Sequence, residues 1–218
     1  MAPETTSTMG ERGPQFNKTE VAILEFLISR LHNEYSIAAI SKGTKRPYPI
    51  IRKNVLELER KHILRIKRIN PTQTLCSLAI DNPDNLAAFA YMEFLKASDF
   101  FSRNREIKSI ADDILKRIEG NSFTLIVFGS QVKGRAKQES DIDLLFLVSS
   151  ISDQGRMLSA AEGAGRLTIR EIHPVVMTYS GFFSALNEKG QNLPKEIREN
   201  HIIAYGAEAF YRGLIANA

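Results

Sequence analysis

Two carboxylates, Asp141 and Asp143, stand at i and i+2 at the head of an apolar run, Leu144 to Val148. On a strand such a pair leaves by the same face. Both can therefore offer hard oxygen ligands to one divalent cation such as Mg²⁺. Upstream, a second apolar run, Phe123 to Phe128, ends in Gly129-Ser130. Glycine lets the chain turn sharply and lets another group approach closely. Ser130 brings a hydroxyl and, at the start of a short helix expected there, a free backbone N–H of the kind that binds anions. A triphosphate between the two aspartates and this turn would complete the cation's shell. Gly134 breaks the short helix. Lys133 and Arg135 flank it, either steering or clamping an anion or standing as solvated loop charges.

Gly129-Ser130, then Gly134-Arg135, then Ser140-Asp141-Ile142-Asp143 resembles the signature of the nucleotidyltransferase superfamily, in which Gly-Ser and a spacer precede Asp-x-Asp on the following strand. Either element alone is weak, but both together between two apolar strands are specific. The likeness is closest to the small prokaryotic nucleotidyltransferases and runs from about Glu106 to Ala218. It implies that Gly129 and Ser130 take the nucleotide phosphates; Ser140, Lys133 and Arg135 are further candidates for nucleotide contact. It also implies that Asp141 and Asp143 hold Mg²⁺ or Mn²⁺. A hydroxyl of an acceptor would attack the α-phosphorus of a nucleoside triphosphate (NTP), and pyrophosphate would leave. The family usually adds a third carboxylate on a later strand, expected here over Leu167 to Met177. Glu171 is its only acid and the catalytic candidate. His173, two residues on, shares its face and is the alternative occupant. If His173 holds the place, Glu171 flanks the site or pairs with a neighbour such as Arg170.

Elements that hold such a site can be read around it. Asn85 to Phe101 is a helix rich in Ala, Leu and Phe, a connector between two modules. Glu106 to Ile118 carries Ile107, Ile110, Ile114 and Ile118 on one stripe, a core face, and Gly120-Asn121 stops it. The C-terminal stretch reads as helices: Tyr179 to Asn187, Pro194 to Asn200, then Ile202 to Tyr205 leading into Ala207 to Ile215. Phe182, Phe183, Phe210 and Tyr211 read as core. The phrase around Tyr205-Gly206 resembles the end of the same family, with no role derivable from the residues. His32, His62 and His201 make no ligand spacing and read as structural.

Before this lies a basic stretch. Up to Leu75 the chain has 13 Lys and Arg against 7 Glu, and after it 16 against 18 Asp and Glu, within a net charge of +4. Val21, Leu24, Leu27, Ile28 and Leu31 recur at helical spacing, capped by Asn17 or Thr19. A short helix follows Ser36 and ends at Gly43. A third has Pro49 at its first position and Ile51, Val55 and Leu58 inward. Ile63 to Ile69 and Thr74 to Ile80 read as two strands joined by Asn70-Pro71. This order resembles a winged helix-turn-helix module, whose third helix enters a DNA groove while the hairpin meets backbone. Lys45, Arg46, Arg52, Lys53, Arg65, Lys67 and Arg68 would lie on that surface and pair with phosphates of DNA or RNA. Such modules also dimerise or dock proteins, so a homodimer is a further expectation.

The expected fold class is therefore α+β to α/β. A tail (1–14), expected to be disordered, precedes the winged helix-like part (15–82), a connecting helix (83–105) and a polymerase β-like nucleotidyltransferase domain (106–218), with a mixed sheet flanked by helices. One cysteine, Cys76, excludes an intrachain disulfide or a cysteine metal site. No apolar run reaches bilayer length, and Met1 to Gly13 lacks a signal-peptide pattern, so the expected compartment is the cytoplasm. Two other classes fit the same residues. One is a nucleic-acid-binding regulator with a degenerate or sensory nucleotide site. The other is a toxin–antitoxin component that modifies RNA or protein.

Overall fold

A computed structural model describes residues 15–31, 33–70, 73–118, 122–134 and 140–216. The expected tail, together with His32, Pro71, Gly120, Asn121 and Arg135, lies outside the described residues. No described helix is long and apolar enough to cross a membrane.

The first helix, α1 (Lys18–Ile28), opens on Asn17, whose side chain accepts from the Thr19 and Glu20 N–H groups while the Glu20 side chain accepts from the Asn17 N–H. This reciprocal box satisfies donors that no intrahelical carbonyl can reach. Tyr35–Ser36 forms a two-residue strand, β1, which the sequence pattern does not disclose. Then come α2 (Ile37–Thr44), capped by Ser36, and α3 (Tyr48–Arg60). Gly43 does not end α2. It sits inside the helix with the Phe26 ring against it, and Lys45 takes the left-handed turn at φ 54°. Pro49 is the second residue of α3 rather than its first. Strands β2 (Leu64–Asn70) and β3 (Gln73–Leu78) pair antiparallel, and β1 adds to β3, giving the order β1-β3-β2.

A long helix, α4 (Leu86–Arg103), and α5 (Arg105–Arg117) lead to the second sheet. Its strands are β4 (Phe123–Phe128), β5 (Ile142–Val148), β6 (Ile172–Thr178) and β7 (Ile202–Tyr205), in the order β6-β5-β4-β7. β4 pairs antiparallel with β5 and with β7, whereas β5 and β6 run parallel, so the sheet is mixed. Helix α6 (Gln154–Gly165) makes the crossover from β5 to β6, and α7 (Tyr179–Leu186), α8 (Leu193–Glu199) and α9 (Ala207–Ala216) follow. Ile202 to Tyr205, read as a lead into a helix, is thus an edge strand. Gly206 then turns the chain at φ 78°, where a Cβ would collide with the Phe123 carbonyl. That close approach is the role of the Tyr205-Gly206 phrase.

β4 is buried at every residue. Alternation along it feeds two cores. Leu125 and Val127 face the Ile107, Ile110 and Ile114 stripe of α5. Ile126 and Phe128 face the other side, where Phe182, Phe183, Phe210 and Tyr211 pack in one cluster with Phe89 of α4 and Leu24 of α1. Not every aromatic of α4 is core: Phe94 and Tyr91 are exposed.

Candidate active site

The C-terminal end of β4 and the start of β5 meet because Phe128 is opposite Asp143 in the antiparallel register. One residue on, Gly129 has φ 74°, and a Cβ there would collide with the Asp143 carboxylate. Two demands coincide at this glycine: a left-handed backbone and room for a carboxylate pressed against the turn. The segment from Ser130 to Gly134 is a turn, not the short helix expected, with the Lys133 N–H donating to the Gly129 carbonyl at 3.3 Å. A single turn carries no helix dipole of consequence, so Ser130 contributes its own hydroxyl and N–H and little more.

Asp143 lies within β5, but Asp141 lies just before it. Both still reach the same point: His173 Nδ1 is 3.9 Å from Asp141 Oδ2 and 3.8 Å from Asp143 Oδ1. The parallel pairing of β5 and β6 is what brings His173 there, opposite Asp143 in register. The later strand is shorter than expected. Thr168 to Glu171 are not strand, Ile169 is fully exposed, and β6 begins at Ile172. Glu171 precedes it, its carbonyl accepting from the Ile142 N–H at 2.9 Å while its side chain is 74% exposed. Glu171 Oε1 touches His173 Nε2 at 3.2 Å. The histidine therefore stands beside the aspartates and the glutamate stands behind the histidine. The alternative pairing of Glu171 with Arg170 does not form. Arg170 bonds Glu106 and the Ser140 carbonyl instead.

Partial burial pushes the Asp143 carboxyl up from its usual range. The His173 charge opposes this, the Asp141 and Glu196 carboxylates add to it, and Lys133 opposes it. Lys133 itself is held by Glu196 of α8, with Nζ 2.6 Å from Oε1. A polar cleft of about 510 Å³ opens there, lined by Lys133, Asn192, Glu196 and Asn200 among others. Among the described residues, no three His, Cys, Asp or Glu side chains stand at metal-ligand spacing. Two neighbouring carboxylates at one strand end, with the Asp141 charge adding to the rise at Asp143, are nevertheless the donor chemistry that a hard divalent cation relieves. The donor set suits such an ion in kind, but these two side chains alone do not complete its shell.

Gln131 was not singled out in the sequence. It is 9% exposed, and its Nε2 donates to the Ser140 and Asp141 carbonyls at 3.1 and 3.0 Å. A glutamine between Gly-Ser and Gly reads as an ordinary loop residue, so only the fold reveals it. His201 is structural: it is buried against Glu93. His62 is exposed, at a left-handed φ of 57° after α3.

The basic residues of the first part occupy several faces. Arg52 and Lys53 are exposed on α3, and Lys45 caps α2. The Arg46 guanidinium donates to the Lys18 carbonyl at 3.4 Å. Arg65 is ion-paired with Asp81, and Lys67 lies 3.9 Å from Glu34. Arg68 is exposed on β2.

Residues 107–203 match the family model described as a nucleotidyltransferase domain. The match opens in α5, spans the whole β4–β5–β6 site and closes in β7. It supports the nucleotidyltransferase superfamily for this part of the chain and, in general terms, a transferase that uses a nucleotide. Comparison with curated proteins and with solved structures finds no match.

Proposed function

We propose that the chain transfers a nucleoside monophosphate from an NTP to a hydroxyl of an RNA, protein or small-molecule acceptor, releasing pyrophosphate. The observation that carries this reading is the convergence of Asp141 and Asp143 beside a Gly129-Ser130 turn whose glycine has room for nothing but the Asp143 carboxylate. In this reading residues 106–218 are the catalytic domain, 83–105 the connector and 15–82 a recruiting module.

The Gly129-Ser130 turn and Ser140 receive the phosphates, with Lys133 as a cation at the same rim; Arg135, a further candidate for phosphate contact by its sequence position, lies outside the described residues. Asp141 and Asp143 would hold Mg²⁺ or Mn²⁺, which when bound offsets charge on the triphosphate and on the attacking and leaving oxygens. Positioning does most of the remaining work, since phosphoryl chemistry asks little covalent participation of the protein. Glu171 acts through His173, holding the imidazole by Nε2 so that Nδ1 faces the two aspartates.

The measurement is transfer of label from each of four α-labelled NTPs, with Mg²⁺ or Mn²⁺, into a lysate of the source cells. An Asp141→Asn/Asp143→Asn protein serves as control. Label on an acceptor, absent with the control, supports the transferase. Nucleotide binding with no label transferred supports the second reading, a nucleic-acid-binding regulator with a sensory nucleotide site. That second reading draws on the order α1-β1-α2-α3-β2-β3, which resembles a winged helix, and on exposed Arg52 and Lys53. Retention of random duplex DNA or RNA that falls with added salt would support contact through Lys45, Arg46, Arg52, Lys53, Arg65, Lys67 and Arg68. A partner of the same chain, giving a homodimer through this part, would appear as a doubled mass in solution.

A further inference from the structure

Asp143 is held by the ladder on both sides, opposite Phe128 and His173. Asp141 has no such support. It precedes β5, and no strand pairing includes it. Its neighbouring peptide is instead gripped by two side chains from elsewhere in the fold, and a third side chain holds one of these in place. From the turn after β4, the nearly buried Gln131 donates one amide to the Ser140 and Asp141 carbonyls at 3.1 and 3.0 Å. From the approach to β6, Arg170 donates through Nε at 2.7 Å, and also through Nη2, to the same Ser140 carbonyl. From the start of α5, Glu106 holds the guanidinium through Nη1 at 3.1 Å and accepts from the Thr168 hydroxyl at 2.5 Å. Thr168 closes the ring by accepting from the Arg170 N–H at 3.0 Å. The Arg170 side chain is 10% exposed and Gln131 9%, so the two groups that hold the peptide are shielded from water, while Glu106 behind them is 43% exposed.

One carbonyl receiving three donors is far more than backbone satisfaction requires, since a carbonyl has two lone pairs. We infer that Gln131 and Arg170, the latter oriented by Glu106, are positioning residues that fix the Ser140–Asp141 peptide and so aim the Asp141 carboxylate beside Asp143. Neither residue touches the reacting groups. Both act through Asp141, and the inference rests on the nucleotide-site reading above. The brace does for Asp141 what ladder pairing does for Asp143. It also ties the site to α5, so the helix that opens the domain reports on the geometry of its metal-binding end.

The test uses Gln131→Ala, Arg170→Ala and Arg170→Lys in the full chain. Three quantities are read: amide hydrogen exchange at Asp141 and Ile142, thermal stability, and affinity for Mn²⁺ with each of four NTPs by calorimetry. The expected result has exchange accelerated at these two amides in both alanine variants. Mn²⁺·NTP affinity falls roughly 10–100-fold, as when supporting partners of metal ligands are removed. Arg170→Lys, which keeps the charge and one donor, recovers part of the loss. Gln131→Ala keeps the wild-type melting temperature, which separates positioning from general destabilisation. Unchanged exchange at Asp141 and Ile142, or Mn²⁺·NTP affinity equal to wild type in both alanine variants, overturns the inference. Wild-type protein that binds no Mn²⁺·NTP, with accelerated exchange in the variants, overturns the nucleotide-site reading and leaves the brace a purely structural one.

Discussion

Two clusters in this molecule are made of the same residue types and differ in almost everything else. One joins His201 to Glu93, where both side chains are 0% exposed and Nε2 lies 3.1 Å from Oε1. The Tyr211 hydroxyl donates to the same oxygen at 3.1 Å, Lys96 reaches the other at 3.3 Å, and His201 Nδ1 faces the Ile197 carbonyl at 2.8 Å. Every polar atom of that cluster is occupied. The other gathers Asp141, Asp143, His173 and Glu171 at the sheet end, partly open to water, with the imidazole 3.8–3.9 Å from the aspartates and so beyond hydrogen-bond reach. Carboxylates saturated with donors hold a fold together. Carboxylates crowded together and short of donors are suited in kind to a hard cation. The proton affinities move accordingly. Burial alone would push Glu93 up, but the Lys96 charge, the charge and hydrogen bond of His201 and the Tyr211 hydroxyl outweigh it and hold the acid at about 2. At Asp143 burial wins, and the carboxyl is pushed up.

The sharpest way to break this comparison is to remove charge from each cluster in turn. Asp141→Asn/Asp143→Asn is expected to lower label transfer by on the order of 100-fold or more, while the melting temperature stays level or rises because a like-charge contact is gone. Glu93→Ala is expected to do the reverse in kind. Urea denaturation should show a loss of roughly 3–5 kcal/mol, the scale for breaking a buried pair by removing one partner. A Glu93→Ala protein as stable as wild type would show the buried cluster to be dispensable and the contrast empty. Next in size is Gly129→Ala. The left-handed backbone alone costs about 1–2 kcal/mol, and the new methyl must displace the Asp143 carboxylate. Metal–nucleotide affinity should therefore fall more steeply than stability, by calorimetry against urea melts.

A pH series sharpens the same contrast. Glu93 has a folded-state value of about 2, depressed from 4.5. Its contribution is therefore fully present above 4.5 and is lost as pH falls from there toward 2. Stability measured across that window should decline more steeply in wild type than in Glu93→Gln. The smallest expected effect is at His173. His173→Ala, in a half-exposed cluster without close hydrogen bonds to the aspartates, should change the melting temperature by no more than an ordinary surface substitution, within about 0.5 kcal/mol.

Much of the site's frame is legible in the residues alone. Phe123 to Phe128 and Leu144 to Val148 announce two buried strands, and Gly129-Ser130 and Asp141-x-Asp143 sit where those strands must begin and end. The Asn17 and Ser36 caps and the isoleucine stripe of α5 are equally local, each a matter of spacing within one element. What the residues do not disclose is whatever depends on a partner far along the chain. Ile202 to Tyr205 is too short and too apolar to separate strand from buried helix by period, and becomes a strand only because the β4 edge is there to pair with it. Gln131 looks like a loop residue until the Ser140 carbonyl arrives beside it. Arg170 looks like a partner for Glu171 until the start of α5 offers Glu106.

The spacing of the two aspartates, the glycine that makes way for one of them and the apolar runs that carry them are determined by the sequence, because chain geometry alone relates residues so close together. That His173, not Glu171, stands beside Asp143 was decided by the tertiary structure. A strand's residues alternate faces, but only the parallel register of β5 against β6, set by the crossover through α6, selects which residue of the later strand comes level with the carboxylate.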